Sequence, residues 1–393
     1  MRTGRTNFGV RSFQSVSAVS VTRAEINTDR LRRNARAFMN AAQGDMRVMA
    51  VVKADAYGHG AVDCARVLQD AGVDWFAVAT IGEAARLRES GFRAKLLVFA
   101  PPLPDQLSAY EQLDLELGVT SIALLEQIAI EQPHLLERTH LKVDTGMSRL
   151  GIATVEVAEA AAVIRRSSRT IRAVWTHMAH SSHAADPETV DQVTTFRTVL
   201  AEAGLSDVPR HTLATGAFCE HPSLRERGPS WCRIGIGLYG VSTCRTEPCA
   251  TLEPVMRVMS RVLQVRRIER GAGVSYDHTW RAPRATRIAT IGAGYADGIP
   301  RNVSGRASIG VPRLGRRCLI VGSVCMDMFM IDLGPGPDAK AVRAGDDVVL
   351  IGDGGPSVLE VAAWADSISY EICTGIGPRV PRVYVGDEVL TAH

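Results

Sequence analysis

Lysine is scarce in this chain, and two of its lysines lie where amine chemistry is possible. Of the 45 basic residues only four are lysine, and the rest are arginine. Lys53 follows the apolar run Met46–Val52, and Lys142 lies within the apolar run Leu141–Val143. A guanidinium keeps its proton, whereas a desolvated lysine can become a neutral amine that forms a Schiff base with a carbonyl group. A solvated strand end is the alternative for either lysine, although an arginine would serve equally well there.

The chain around these lysines alternates short apolar runs with stretches of helical periodicity, from about residue 29 to residue 236. Eight candidate strands with six clear helices between them favour a (β/α)8 barrel, an α/β fold, over an open doubly wound sheet. The predicted strands are Met46–Val52, Trp75–Ala79, Leu96–Phe99, Leu115–Val119, Leu141–Val143, Ile171–Trp175, Arg210–Ala214 and Cys232–Ile236. The predicted helices are Asp29–Ala41, Ala61–Ala71, Gly82–Glu89, Ile122–Ile130, Val155–Ser167 and Pro187–Ala203.

The pattern changes after Glu253. Alternating apolar and polar residues, separated by Gly- and Pro-rich turns, predict an antiparallel, mostly β C-terminal domain with one helix near Val358–Asp366. We therefore predict a disordered extension (1–20), a strand (21–28) that packs on the β domain, the barrel (29–252) and the β domain (253–393). The predicted strands of this last domain are Val255–Val265, Arg287–Ile291, Cys318–Val324 and Asp347–Ile351.

Residues at the carboxyl ends of the barrel strands are the candidate functional residues, because active sites of this fold lie in the loops that follow the strands. Both lysines belong to this set. The other members follow the first, fifth, sixth and seventh strands or lie on the eighth. They are Tyr57, Arg149, His177, Thr215, Gly216, Arg233 and Gly235.

The composition excludes several classes of partner. A chain of 393 residues with 46% hydrophobic and 22% charged residues is typical of a folded protein of two or three domains. A net charge of +3 gives no strong field for nucleic acid or an anionic membrane. Charges, glycines and prolines interrupt every apolar run before it reaches 18 residues, so no membrane-spanning helix is predicted. Eight cysteines without a C-x-x-C pair indicate free thiols in a reducing cytoplasm.

Seven segments occur in an informative order along the chain. Ala50–Gly60 contains Lys53, and Lys142–Gly151 contains Lys142 and Arg149. The other five are Arg233–Ile236, Gly273–Tyr276, Gly294–Gly298, Cys325–Asp327 and Tyr370-Glu371. In this order they resemble the motifs of the alanine racemases, which are barrel-type enzymes dependent on pyridoxal phosphate (PLP). The resemblance covers about residues 22–385 and implies a cytoplasmic homodimer that interconverts L- and D-alanine.

The resemblance also implies a two-base mechanism. Racemisation removes the weakly acidic Cα proton and returns a proton to the opposite face, so it needs a base on each face. PLP is expected to spread the charge of the carbanion. Lys53 is expected to bind PLP and to act on one face, and Tyr276 of the partner subunit on the other. Without its motif, Tyr276 would be interpreted as an ordinary half-buried tyrosine. D-alanine as the product implies a role in peptidoglycan synthesis.

Further roles around the cofactor come from the same resemblance. Arg233 is expected at the pyridine nitrogen, supported by His177. This chain has Thr215-Gly216 where most of the family has Asn-Ser, so the hydroxyl on the phosphate is either missing or supplied by Thr215. The other expected phosphate contacts are Tyr57, Tyr370 and the backbone N–H groups of Gly216, Gly235 and Ile236.

The substrate carboxylate is expected to contact Arg149 and the backbone of Met326. Many relatives carry a carbamylated lysine at the position of Lys142. Carbamylation would turn the cation beside Arg149 into an anion, and repulsion would become a charge-assisted pair. The alternative is an unmodified Lys142 paired with Asp144.

Other functions remain open on the residues alone. Serine or another small amino acid is an alternative substrate, since one hydroxyl or methylene changes selectivity by only about 1–3 kcal/mol. A different reaction of a barrel-type PLP enzyme is a second alternative. Gly235–Gly240 satisfies G-x-G-x-x-G of NAD-dependent oxidoreductases, but it approaches a domain boundary instead of opening a helix. His177, His180 and His183 are three residues apart, which matches no zinc-hydrolase motif.

Overall fold

The computed structural model describes residues 20–386 except 43, 45, 181–185, 226–227, 242–243 and 245. The predicted disordered extension falls, apart from its last residue, in the part of the chain that is not described. The described residues form two compact units. The first comprises 27–256, 366–374 and 385–386, and the second comprises 20–26, 257–365 and 375–384.

The first unit is a closed barrel of eight parallel strands surrounded by helices, as predicted. Each strand pairs with the next along the chain, and the eighth pairs with the first, Ser230–Ile234 lying in register with Met46–Ala50. The seventh strand is shorter than predicted, since the chain leaves the ladder after His211 and returns only in an isolated bridge between Ala214 and Arg233. Barrel strands 1 to 8 are Met46–Val51, Trp75–Val78, Lys95–Val98, Glu116–Val119, Thr139–Asp144, Ala173–Trp175, Arg210–His211 and Ser230–Ile234.

The six predicted barrel helices are all present. Thr28–Ala41 shows why: it buries Leu31, Ala35 and Phe38 on one face, and the Asn27 side chain caps its first turn. The other five are Ala61–Asp70, Ile81–Glu89, Ile122–Glu131, Val157–Arg166 and Pro187–Glu202. Three short helices were not predicted, because six or seven residues are too few to show a helical period. They are Leu107–Gln112, Thr215–Glu220 and Ser369–Gly375, whereas Lys53–Tyr57 forms a short left-handed turn.

The segment 366–374 belongs to the barrel unit although it follows the β-rich part of the chain. The Tyr370 ring lies with its centroid 6.0 Å from that of Tyr57. The backbone at Cys373 lies so close to Gly58 that a Cβ at Gly58 would overlap it, and Gly58 also has a positive φ of 81°. These contacts explain why this segment is part of the barrel.

The second unit is built on an eight-stranded sheet, as the alternating pattern predicts. The pairings among six of its strands are antiparallel. Arg23–Asn27 and Arg382–Val385 complete the sheet, and Val358–Trp364 is the predicted helix. The remaining strands are Met256–Ile268, Thr286–Ile291, Ser308–Val311, Arg316–Val321, Phe329–Gly334 and Asp347–Ile351, with a separate hairpin of Gly273–Val274 and Trp280–Arg281.

Two further observations bear on the sequence predictions. Within the described residues, no helix combines the length and the apolar character needed to cross a membrane.

The prediction of free thiols holds for six of the eight cysteines and is wrong for Cys219 and Cys249, which form a disulfide. The disulfide joins the helix Thr215–Glu220 to the turn Cys249–Thr251. Their separation of 30 residues carries no signal in the sequence.

Candidate active site

A cavity of about 350 Å³ lies at the carboxyl ends of the barrel strands. For every barrel strand except the fourth, the strand or the segment that follows it contributes to the walls, as does the helix Ser369–Gly375. Eleven of the predicted site residues line it, although they come from distant parts of the chain. They are Lys53, Tyr57, Lys142, Arg149, His177, Thr215, Gly216, Arg233, Gly235, Ile236 and Tyr370.

Lys53 begins an unusual left-handed turn at the end of barrel strand 1. The four residues 54–57 have φ between 50° and 55°, a conformation that costs roughly 1–2 kcal/mol for each L-residue. The Glu83 carboxylate supports the turn, accepting from the backbone N–H of Ala54 at 2.6 Å and from that of Ala79 at 2.8 Å. Asp55 accepts from the N–H of Ala61 at 2.8 Å. These bonds fix where the Lys53 side chain starts.

The surroundings of Lys53 favour its neutral form. Burial lowers the pKa of this amine, the positive charge of Arg149 lowers it further, and Glu83 opposes both effects. A lowered pKa leaves a larger fraction of amine without its proton at neutral pH. Lys53 is therefore suited to attack a carbonyl carbon and to accept a proton.

One end of the cavity carries hydroxyl groups and backbone amides suited to an anion. Burial raises the pKa of Tyr57 and of Tyr370, so both phenols keep their protons and can donate. A Cβ at Gly235 would overlap the Tyr57 hydroxyl. The Thr215 hydroxyl accepts from the N–H of Gly235 at 3.2 Å, which leaves its own proton available to donate. In this structure, therefore, the Gly235 amide is engaged by Thr215.

Arg233 is buried at the end of barrel strand 8, and polar groups at the ends of strands 6 and 7 fix its guanidinium. Its Nη2 donates to the carbonyl oxygens of Thr176 at 2.8 Å and Thr212 at 3.2 Å, and it lies 3.1 Å from His177 Nδ1. Its Nη1 lies 3.0 Å from His211 Nδ1. Burial lowers the pKa of Arg233 to about 9, so it stays charged at neutral pH.

The same pattern of burial and charge keeps His177 neutral. Burial is the largest effect and Arg233 the second, and together they hold the pKa of His177 well below its usual value. A neutral imidazole has one bare nitrogen that can accept from Arg233. His177 thus supports Arg233 as an acceptor, the position that the sequence predicts for it.

Lys142 is almost fully buried, with Nζ 4.8 Å from the centroid of the Trp175 ring. Burial, Arg149 and Arg233 together lower the pKa of Lys142 to about 8. Among the described residues no ion pair joins Lys142 to Asp144, whose carboxylate instead accepts from the N–H groups of Gly146 at 2.9 Å and Ser148 at 3.1 Å. Lys142 and Asp144 therefore do not form the ion pair that the alternative interpretation requires.

The charges of the cavity define what it can bind. Lys53, Lys142, Arg149 and Arg233 line it, and none of the described lining residues is Asp or Glu. A volume of about 350 Å³ lies within the range for small-molecule sites. PLP fits this donor set: its phosphate suits the hydroxyl-rich end, its aldehyde suits the Lys53 amine, and its ring nitrogen suits a buried, charged donor such as Arg233.

Tyr276 and Met326 belong to the second unit and are not among the residues that line the cavity. Tyr276 lies at the tip of the small hairpin and is 69% exposed. Ser275 holds the tip by donating to the Ser323 carbonyl oxygen at 2.6 Å. Met326 is 52% exposed in a turn where its carbonyl oxygen accepts from the N–H of Ala296 at 3.0 Å. Both residues are thus presented on the surface of their own unit.

Some residues that shape the site were not predicted from the sequence. Trp175 lines the cavity. It is the last residue of a barrel strand and precedes the predicted site residue His177 by two positions, and this position could have identified it. Glu83 and His211 act through other residues, on the backbone of the left-handed turn and on Arg233. No local pattern marks such contacts, because the partners are far apart in sequence.

Two alternative functions lack the structural context that they require. Gly235–Gly240 follows a strand but enters a 3-10 turn, Ile236–Tyr239, and not the long helix of a dinucleotide-binding unit. Within the part of the chain that the structure describes, no group of three or more His, Cys, Asp or Glu side chains is arranged to hold a metal ion. His183, one of the three spaced histidines, lies outside the described residues.

Comparison with known proteins gives one consistent result. Residues 26–243 match the model of the alanine racemase N-terminal domain, and residues 255–384 match that of the C-terminal domain. The chain is 35% identical to the alanine racemase of Thermobifida fusca, covering 93% of this chain and 99% of the relative. It is 37% identical to that of Symbiobacterium thermophilum, covering 93% and 97%.

Solved structures agree with the sequence relatives. The alanine racemase from D-cycloserine-producing Streptomyces lavendulae is 34% identical, with a TM-score of 0.83 over 95% of this chain and 99% of that one. The alanine racemase from Bartonella henselae with covalently bound pyridoxal phosphate is 28% identical, with a TM-score of 0.84 over 93% and 100%. The similarity therefore extends over both units.

Proposed function

Because this chain belongs to the alanine racemase family, whose members interconvert L- and D-alanine with PLP, we propose that the barrel cavity is its active site and that Lys53 and Tyr276 are the two bases. The observation that carries the proposal is a lysine of lowered pKa in a cavity that also holds a buried, charged arginine and no lining carboxylate. PLP, when bound, supplies the carbonyl carbon that takes the substrate amine and the conjugated ring that withdraws electrons from Cα.

Lys53 has two successive tasks. Its Nζ would hold the cofactor at the aldehyde carbon, and as a free amine it would accept or return the Cα proton on its own face. Its lowered pKa assists the second task, because more of the amine is unprotonated at neutral pH. The turn that follows Lys53, held by Glu83 and Asp55, would keep Nζ on one side of the reacting carbon.

Arg233 decides how strongly the cofactor ring draws electrons. A guanidinium keeps its own proton, so Arg233 would donate a hydrogen bond to the ring nitrogen and would not protonate it. Arg233 would thereby weaken electron withdrawal by the ring and favour return of the proton to Cα over side reactions such as transamination. The contacts with His177 and His211 hold Arg233 in this position.

Substrate and phosphate contacts complete the proposed site. Arg149, together with the backbone of Met326, binds the substrate carboxylate. Thr215 donates its hydroxyl to the phosphate and takes the place of the serine that most of the family has at the next position. The other phosphate contacts are Tyr57, Tyr370 and the backbone N–H groups of Gly216 and Ile236. The expected contact from Gly235 is replaced by its N–H bond to Thr215, which holds that hydroxyl in place.

We also propose that the enzyme is a cytoplasmic homodimer in which Tyr276 of the partner subunit completes each active site. The support is that Tyr276 is 69% exposed on its own chain, at the tip of a hairpin that Ser275 holds through its hydrogen bond to Ser323. A base must be desolvated and oriented to act well, and a second subunit supplies both conditions. The physiological role that follows from the reaction is the supply of D-alanine for peptidoglycan.

The substrate assay tests the function directly. We expect the purified enzyme, supplied with PLP, to convert either enantiomer of alanine to a nearly equal mixture, measured by chiral chromatography. Serine and other small amino acids are the comparison, since selectivity between such substrates rests on only about 1–3 kcal/mol. Failure to interconvert alanine would contradict the proposal. A higher kcat/KM for serine than for alanine would identify serine as the preferred substrate.

Lys142 provides a pH-dependent prediction. We propose that its neutral amine adds to carbon dioxide: the nitrogen–carbon bond forms, one proton is released, and the carbamate anion pairs with Arg149. Since the pKa of Lys142 is lowered to about 8, the reactive neutral form is the minor one below pH 8 and the major one above it. We therefore expect the carbamate signal in ¹³C NMR of the holoenzyme, with labelled bicarbonate, to rise as the pH rises through about 8.

The matched variants are Lys142→Arg and Lys340→Arg, the second at an exposed position. Lys142→Arg loses the signal and lowers kcat/KM for alanine by roughly 10–100-fold, because a charge-assisted hydrogen bond is worth about 1.5–3 kcal/mol. Lys340→Arg keeps both. A carbamate signal that survives in Lys142→Arg would place the modification elsewhere.

A further inference from the structure

A row of buried polar side chains crosses the barrel from Arg233 to the opposite end of the strands. Arg233 Nη1 lies 3.0 Å from His211 Nδ1, His211 Nε2 lies 2.9 Å from His140 Nδ1, and His140 Nε2 lies 3.3 Å from Glu116 Oε2. All four side chains are at most 3% exposed. Glu116 and His140 are the first and second residues of barrel strands 4 and 5, so they lie at the end remote from the cavity.

The chemistry of the two ends fixes the direction of every hydrogen bond in this row. Burial lowers the pKa of His140 and of His211, so each ring is neutral and carries one N–H. Arg233 can only donate, which requires a bare Nδ1 on His211 and places the proton on its Nε2. His211 then donates to His140 Nδ1, and His140 donates through Nε2 to Glu116. A carboxylate can only accept, so both ends require the same direction.

The surroundings keep the row dry and anchor its outer end. The Trp175 ring stacks on His211 at 5.3 Å, and Trp75 meets His140 edge-on at 5.9 Å. Hydrogen bonds in such a low-dielectric interior depend strongly on one another. At the outer end, Arg172 Nε lies 3.3 Å from Glu116 Oε2, and Lys95 Nζ lies 3.8 Å from Oε1. These ion pairs hold the carboxylate in place.

We propose that Glu116 and His140 are positioning residues that hold His211 in the tautomer able to accept from Arg233. The role of Arg233 at the cofactor ring belongs to the proposed function, and this inference rests on it. Without an acceptor at position 116, His140 is free to carry its proton on Nδ1 and to donate to His211. The His211 proton then moves to Nδ1, where it opposes an N–H of Arg233, and the guanidinium turns away from its position in the cavity.

Histidine tautomers give a test that does not depend on turnover. In the holoenzyme labelled with ¹⁵N-histidine, we expect NMR to show both His140 and His211 protonated at Nε2 only, with the two signals identified from the single variants His140→Gln and His211→Gln. This measurement needs no change at Glu116. A His211 ring protonated at Nδ1 in the unsubstituted enzyme would overturn the inference.

Two substitutions of Glu116 then separate the acceptor from the charge. Glu116→Gln can keep an oxygen at the Oε2 position, facing His140 and Arg172, and we expect it to keep both tautomers. Glu116→Leu has no acceptor, and we expect Nδ1–H signals to appear for His140 and His211. The control is Glu111→Leu, which removes a carboxylate from His134 at 2.9 Å on the protein surface and leaves both buried signals unchanged. Unchanged tautomers in Glu116→Leu would overturn the inference.

The kinetic consequence follows from the position of Arg233. We expect Glu116→Leu to lower kcat for alanine by roughly tenfold with little change in KM, since displaced cofactor contacts affect the chemical step. Glu116→Gln should retain most of the activity. Equal losses of kcat in the two variants would contradict a role as acceptor. If alanine is not the substrate, the tautomer results still decide whether Glu116 and His140 hold the tautomer of His211.

Discussion

Lys53→Ala is expected to lower alanine racemisation by roughly 10⁴-fold or more, because it removes both the covalent attachment of the cofactor and one of the two bases that act on the Cα proton. The geometry offers no replacement. Lys142 also lines the cavity, but it follows barrel strand 5 and its amine lies against the Trp175 ring. The measurement is the rate of L- to D-alanine conversion by chiral chromatography, in enzyme supplied with excess PLP.

Two controls separate chemistry from charge and from folding. Lys53→Arg keeps a cation at the same position but cannot release its proton, so it should not restore activity. Lys340→Ala changes an exposed lysine and should leave the rate unchanged. Borohydride reduction of the unsubstituted holoenzyme, followed by peptide mapping, should attach the cofactor to Lys53. Attachment at Lys142, or a loss of less than tenfold in Lys53→Ala, would refute the role of Lys53.

Tyr276→Phe is expected to lower racemisation by roughly 10²–10⁴-fold, the usual contribution of one acid–base group. The ring stays and only the hydroxyl is lost, so binding of PLP should be preserved. With one base left, Lys53 can still exchange the Cα proton on its own face. In deuterated water we therefore expect proton NMR to show Cα exchange of one alanine enantiomer without inversion.

Tyr239→Phe is the matched control for Tyr276→Phe. Tyr239 is fully buried, and its hydroxyl donates to the carbonyl oxygen of Val51 at 3.2 Å, close to Lys53 along the chain. Its loss removes a hydrogen bond worth about 1 kcal/mol to stability but no base. We expect a small fall in thermal stability and near-normal racemisation. Equal losses of activity in Tyr239→Phe and Tyr276→Phe would refute the two-base assignment.

A mixture of two inactive variants tests the proposed sharing of Tyr276 between subunits. If Tyr276 acts on the partner's site, a mixed dimer of Lys53→Ala and Tyr276→Phe chains has one site with both defects and one intact site. Random reassociation of a two-fold dimer then restores about a quarter of the unsubstituted activity. If Tyr276 acts within its own chain, every site keeps one defect and activity stays absent.

Much of the barrel could be predicted from the sequence, because its strands and long helices carry their own periodic patterns. All eight strands and six helices lie within a few residues of their predicted positions. The seventh strand ends early, at His211, since hydrophobicity marks an apolar run but not where its ladder stops. The short helix Thr215–Glu220 escaped prediction because it contains fewer than two turns.

The sequence predicts which residues belong to the site, but it does not predict the contacts that arrange them. Polar residues at strand ends, together with the family motifs, identified eleven of the eighteen described residues that line the cavity. The left-handed turn after Lys53 was not predictable, because it depends on Glu83 from the next strand–helix unit. The same reason applies to the hydrogen bond between Thr215 and the Gly235 amide, and to the row that ends at Glu116. Such contacts join residues that only the closed barrel brings together.

The distribution of the four lysines has a practical consequence for attaching the enzyme to surfaces or dyes. Amine-directed reagents meet two exposed lysine side chains, Lys95 and Lys340, whereas Lys142 is buried and Lys53 lies in the cavity. Immobilisation through Lys340 attaches the support to the second unit. Coupling at Lys95 removes a positive charge 3.8 Å from Glu116. A chain in which Lys95 is replaced by arginine would therefore give a support-bound catalyst attached through one exposed lysine side chain, Lys340, which belongs to a different unit from the cavity.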